Sequence, residues 1–137
     1  MDLSKSRPLV GLITDTLAAC LVAGILSFAG PCTHPGGVNH PCFGASRAIL
    51  ATAAVIMVLS TIRIFEMDEG ERRGLSLAAA LLGVLVALMP GVLVDLCADP
   101  AMRCVAVMRP FCVAVGVAIA LAGGADLTVR LLRLRNR

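Results

Sequence analysis

The sequence contains no tryptophan and no tyrosine, and its two histidines, His34 and His40, fall in one short segment. Without Trp or Tyr there is no ordinary aromatic belt for a membrane interface. The four phenylalanines, Phe28, Phe43, Phe65 and Phe111, all lie near the ends of apolar runs, where a ring can anchor instead. Conventional catalytic patterns are missing too. There is no Ser/His/Asp set, no phosphate-binding glycine loop and no carboxylate pair placed for acid–base work. None of the six cysteines stands in a Cys-x-x-Cys, the spacing that tunes a thiol for exchange. Charge is sparse at 15%, and no stretch reads as a soluble domain, a long linker or a low-complexity segment.

What is abundant is apolar surface. Hydrophobic residues make up 58% of the chain, above the roughly 45–50% of soluble domains. A spanning helix needs about 20 predominantly apolar residues. Four stretches qualify, at about 9–30, 45–65, 75–97 and 105–128, and their short connections favour an antiparallel up-down-up-down arrangement. The expected fold is all-α, an integral membrane antiparallel four-helix bundle forming one domain over 1–137. Lys5, Arg7, Arg63, Arg72, Arg73, Arg130, Arg133, Arg135 and Arg137 fall on one side of that topology, against Arg47, Arg103 and Arg109 on the other. The positive-inside rule then places both termini in the cytoplasm. The basic C-terminal tail reads as a topology anchor beside anionic lipid, so the expected partner is the bilayer, with no nucleic acid. The first run admits a second reading. Lys5 and Arg7 precede it, and Leu17-Ala18-Ala19-Cys20 matches a lipoprotein-processing box. Asp15 interrupts the run, and the residues after Cys20 stay apolar, which favours a retained spanning helix.

Two knots of cysteine and proline, at 31–44 and 89–112, separate the runs on the outer side. Cys32, Cys42, Cys97 and Cys104 all face the oxidising compartment, an even number that points to two disulfides. Three connectivities remain open. A redox-active use of the same four thiols is the alternative. A third reading takes Cys32, His34, His40 and Cys42 as a Cys₂His₂ metal set; disulfides would exclude it, and otherwise no cofactor is expected. Asp95 lies at a depth where Arg47 or Arg109 can pair with it, and Asp15 and Asp126 lie within reach of Arg63 and Arg130. Gly83, Ala87 and Gly91, with Gly116, Ala120 and Gly124, form two four-spaced stripes of small residues that let helix backbones approach. Pro90 is expected to kink the third helix, Asp99-Pro100 to start the fourth, and the charged run 66–74 to be a solvated turn.

The segment Leu88-Met89-Pro90-Gly91-Val92-Leu93-Val94-Asp95-Leu96-Cys97, followed by Met102-Arg103-Cys104 and an apolar helix, resembles a family of small four-span bacterial membrane proteins catalogued as a domain of unknown function. The resemblance covers about residues 10–125. Cys42 is followed here by Phe43, where that family often carries histidine. The resemblance implies a multi-pass protein of the bacterial cytoplasmic (inner) membrane, with an accessory or stabilising role beside an ABC-type export permease or another membrane protein. It implies no catalytic residue, and an enzyme is the less favoured class. In topology the chain also resembles the quinone-dependent disulfide-generating membrane proteins, which would make Cys32/Cys42 and Cys97/Cys104 exchanging pairs and place Arg47 near a quinone.

Overall fold

The computed structural model describes residues 6–31, 41–65, 68–96 and 102–135. Within them the chain is helical: α1 Ser6–Ser27, α2 Pro41–Phe65, α3 Glu69–Leu88, a π turn at Cys104–Met108, and α4 Arg109–Arg135 continuing from it. No strand occurs among the described residues, and one isolated bridge joins Pro90 to Val94. α1 packs against α2 and α4, and α3 packs against the same two helices, so the four close into a ring. The seam between α3 and α4 is the most extensive, and that between α2 and α3 the least.

Each helix contributes one inward row built of three- and four-residue steps. Thr14, Ala18, Leu21 and Ile25 form the row of α1; Cys42, Ala45, Ile49, Ala53, Ile56 and Ser60 that of α2. On α4 the row is Cys104, Met108, Cys112, Val115 and Ile119. Such spacing keeps one face of a 3.6-residue helix turned toward its partners. The opposite faces are apolar as well: Leu12, Leu26, Val58, Leu81 and Leu121 are all exposed. A helix apolar on every side belongs in the interior of a large protein or in lipid. Among the described residues, three segments are long and apolar enough to cross a membrane: Leu9–Ser27, Cys42–Phe65 and Cys104–Leu132.

The third expected run departs from its reading. α3 ends at Leu88, so Pro90 terminates the helix and does not kink it. A continuing helix would need an N–H at position 90 to reach the Val86 carbonyl, and proline has none. Gly91 then takes φ +92°, a backbone conformation that suits glycine. The turn closes on itself through Val94 N–H to the Met89 carbonyl at 3.0 Å and Leu93 N–H to the Leu88 carbonyl at 3.2 Å. At its other end α3 begins inside the charged run expected to be a loop. The Asp68 side chain accepts from Gly70 N–H at 3.1 Å, capping the helix. Residues 69–73 are therefore its first turn, which leaves Gly74–Leu88 as the apolar part, about 22 Å long at about 1.5 Å per residue.

Pro110 also acts locally. The π turn closes with Arg109 N–H bonding the Cys104 carbonyl. Widening the backbone there relieves the clash that the proline ring would make with the carbonyl four residues earlier. The expected helix start at Asp99-Pro100 lies outside the described residues.

Candidate functional site

The inward rows carry polar side chains at one end of the ring, and all four helices contribute. On α1 and α2, Thr14 and Ser60 are buried and Ser60 Oγ donates to Thr14 Oγ1 at 3.0 Å. The Thr14 hydroxyl has its own acceptors in the Gly11 and Val10 carbonyls, at 2.9 and 3.0 Å. One turn beyond Ser60 is Arg63, 4% exposed. It reaches across to α4, where its Nη2 stands 2.8 Å from Asp126 Oδ2. Arg130 Nε donates to the same oxygen at 2.7 Å. Ser76, fully buried on α3, has one hydroxyl hydrogen and two acceptors in reach: Asp126 Oδ2 at 2.8 Å and the Arg72 carbonyl at 2.7 Å.

Asp126 Oδ2 is thus the hub of the cluster, hydrogen-bonded by Arg130 and Ser76 and ion-paired with Arg63. Charged groups among buried helices are a functional hypothesis by default, because removing them from water is costly unless they are paired. The sequence places Asp126 within reach of Arg63 and Arg130. That pattern does not include Ser76, Ser60 or Thr14. Ser76 precedes Gly83 by seven residues and Gly83 precedes Pro90 by seven, so a seven-residue spacing was the signal available for the inward row of α3.

At the other end the expected ion pair is absent. Asp95 is exposed and pairs with neither Arg47 nor Arg109 among the described residues. Arg47 lies over the Phe43 ring, 5.3 Å from its centroid, and the Arg109 side chain lies across Gly91. Because the helix stops at Leu88, Asp95 lies beyond it on irregular chain, off the inward row that a longer helix would have continued.

The small-residue stripes are partly brought together. A Cβ on Gly83 would come within 2.6 Å of Ala120 N and 2.8 Å of the Gly116 carbonyl; one on Gly116 would meet Ala87 N and the Gly83 carbonyl at 2.7 Å. These four residues form the close seam between α3 and α4. Gly91 and Gly124 are not part of it. Gly91 is a turn residue, and a Cβ on Gly124 meets nothing within 4 Å. The packed glycine is Gly123, whose Cβ would approach the Ser76 carbonyl at 2.8 Å and Ala80 N at 2.9 Å. It stands seven residues after Gly116, on the same face. Gly24 fills a similar need on α1, where the tip of the Phe111 ring comes against its backbone and the ring meets Phe28 edge-on, with centroids 5.2 Å apart.

Cys42 opens α2 and Cys104 opens the π turn; both are buried in one apolar cluster with Cys112 and Met108. Cys32, His34, His40 and Cys97 lie outside the described residues, and with them lie the expected cysteine pairs and the Cys₂His₂ set. Among the described residues no group of three metal-binding side chains occurs. Cys20 is exposed in the middle of the unbroken helix α1.

A family model described as a domain of unknown function, DUF4418, matches residues 15–129. The chain belongs to this family. The matched region takes in Arg63, Ser76 and Asp126, the α3/α4 seam and all six cysteines. No curated protein and no solved structure matches the chain.

Proposed function

We propose that the protein is an antiparallel four-span subunit of the bacterial inner membrane, with both termini cytoplasmic. In this reading it is a non-enzymatic accessory or stabilising partner of a membrane transport complex. The alternation is supported by the pairing of Gly11 with Ile64, Thr14 with Ser60 and Gly123 with Ala80, each joining opposite ends of successive helices. The distribution of Lys and Arg supports the orientation.

The observation that carries the subunit role is the turn at Met89–Val94. It lies beside Arg109, near the start of the 29-residue apolar segment Cys104–Leu132, and Val92 is 68% and Leu93 56% exposed. Two adjacent exposed aliphatic side chains on an irregular turn are apolar surface that a neighbouring protein can cover. A helix of a neighbouring membrane protein is the cover that suits two exposed aliphatic side chains. The test is a photoreactive amino acid at Val92 in living cells, compared with the same group at Leu121. A discrete protein adduct from position 92 and lipid adducts from 121 are expected. Lipid adducts alone from both positions would refute the subunit reading.

A thiol–disulfide oxidoreductase is the second reading. Its support is that Cys42 and Cys104, one from each expected outer pair, are buried in the same apolar cluster. Structural bridges resist mild reduction, whereas exchanging pairs open. Counting thiols on intact cells with an impermeant reagent during graded reduction separates the two. Cysteines silent until strong reductant is added support structural bridges; a pair that opens at mild potential supports exchange.

A further inference from the structure

The packing of the helices does not by itself account for the burial of Arg63. Its Nε, Nη1 and Nη2 are buried, and none has a hydrogen-bond acceptor. The approach of Nη2 to Asp126 Oδ2 at 2.8 Å supplies charge attraction without an aligned hydrogen bond. That oxygen already serves Arg130 and Ser76. On α3, one turn before Ser76, Arg73 Nε is also buried without an acceptor. Buried donors on a charged group are strongly unfavourable when left unmatched, so such a group calls for an acceptor.

The chemistry of that acceptor follows from the donors. They are guanidinium nitrogens pointing in more than one direction, which a single planar carboxylate oxygen cannot satisfy. A tetrahedral oxyanion presents several acceptor oxygens at once and forms charge-assisted bonds to arginine. Depth points the same way. Arg63 is two residues from the end of the span-length segment Cys42–Phe65, the level at which a bilayer carries its phosphates. The seam between α2 and α3 is the least extensive of the ring, so it is the one that separates most easily to admit a group.

We propose that Arg63 forms a binding site for an anionic phosphate group entering between α2 and α3. The site is independent of the subunit role above and of the outer cysteines. Its test uses the full chain purified in an uncharged sugar detergent. The thermal midpoint is followed while phosphatidylglycerol, phosphatidylcholine or inorganic phosphate is added, and retained adducts are weighed by native mass spectrometry.

A raised midpoint and a retained adduct with phosphatidylglycerol, but not with phosphatidylcholine, would identify a lipid head group as the source. A rise with millimolar inorganic phosphate would identify a soluble phosphate. No response to either overturns the proposal. In Arg63→Gln the affinity for the responding phosphate should fall about tenfold or more, the worth of a lost charge-assisted bond. A folded Arg63→Gln protein with unchanged affinity would overturn the site. Should that variant not fold, Arg63→Lys keeps the charge and loses the planar fork. It should weaken binding severalfold, and wild-type affinity in it would equally refute the proposal.

Discussion

Gly83→Ala tests the seam between α3 and α4 against a built-in reference. The added Cβ would lie 2.6 Å from Ala120 N and 2.8 Å from the Gly116 carbonyl, both backbone atoms. Ordinary contacts at a Cβ begin near 3.4 Å. No rotamer change moves backbone, so the helices must part by several tenths of an ångström along their closest line. Overpacking of this kind costs about 1–3 kcal/mol. Against it stands the intrinsic helix preference for Ala over Gly, about 1 kcal/mol. Gly124→Ala receives the same preference on the same pair of helices and meets nothing within 4 Å. The propensity gain cancels between the two variants. Gly83→Ala should therefore be less stable than Gly124→Ala by about 1–3 kcal/mol. Reversible unfolding of both variants in mixed micelles, followed by circular dichroism, measures that difference directly. Equal stabilities, or a more stable Gly83→Ala, would refute the seam as the reason for glycine at this position.

Three further outcomes follow from particular contacts. Asp126→Ala removes the carboxylate shared by Arg63, Arg130 and Ser76 and should cost about 3–5 kcal/mol, because it leaves a buried charge uncompensated. Replacing both partners, Arg63→Met with Asp126→Leu, should restore most of that stability, and a double variant no better than the single would contradict the account. Gly24→Ala drives a Cβ into the Phe111 ring and so displaces it from Phe28, at a cost of about 1–3 kcal/mol from the clash. Adding Phe111→Leu should recover part of the loss, and strictly additive effects in a double-mutant cycle would deny the contact. Gly91→Ala at φ +92° should destabilise by about 1–2 kcal/mol through backbone strain, as read from its denaturation midpoint; a neutral result would mean the turn is not held as described.

Much of the architecture was legible in one dimension. Hydropathy is a property of a residue and its near neighbours, so the apolar runs at 9–30, 45–65 and 105–128 could be read directly beside helices α1, α2 and α4. The motif around Pro90 and Cys97 was likewise enough to point to a family of unknown function, and the family match agrees. Rotational facing was not legible to the same degree. Asp95 and Asp126 are the same residue type near the ends of two apolar runs, yet one is exposed on irregular chain and the other is the hub of the buried cluster. Gly123 and Gly124 are adjacent and identical, and only the first meets α3, because successive residues on a helix point about 100° apart. The effect of Pro90 also depended on what followed. A proline can kink a helix or stop it, and here the turn that closes through Gly91 and Val94 ends the helix at Leu88. Composition and residue order are enough to make this chain helical, apolar on every side and asymmetric in charge. Which polar groups meet depends on the rotation and depth of each helix relative to three others, and no linear pattern carries that.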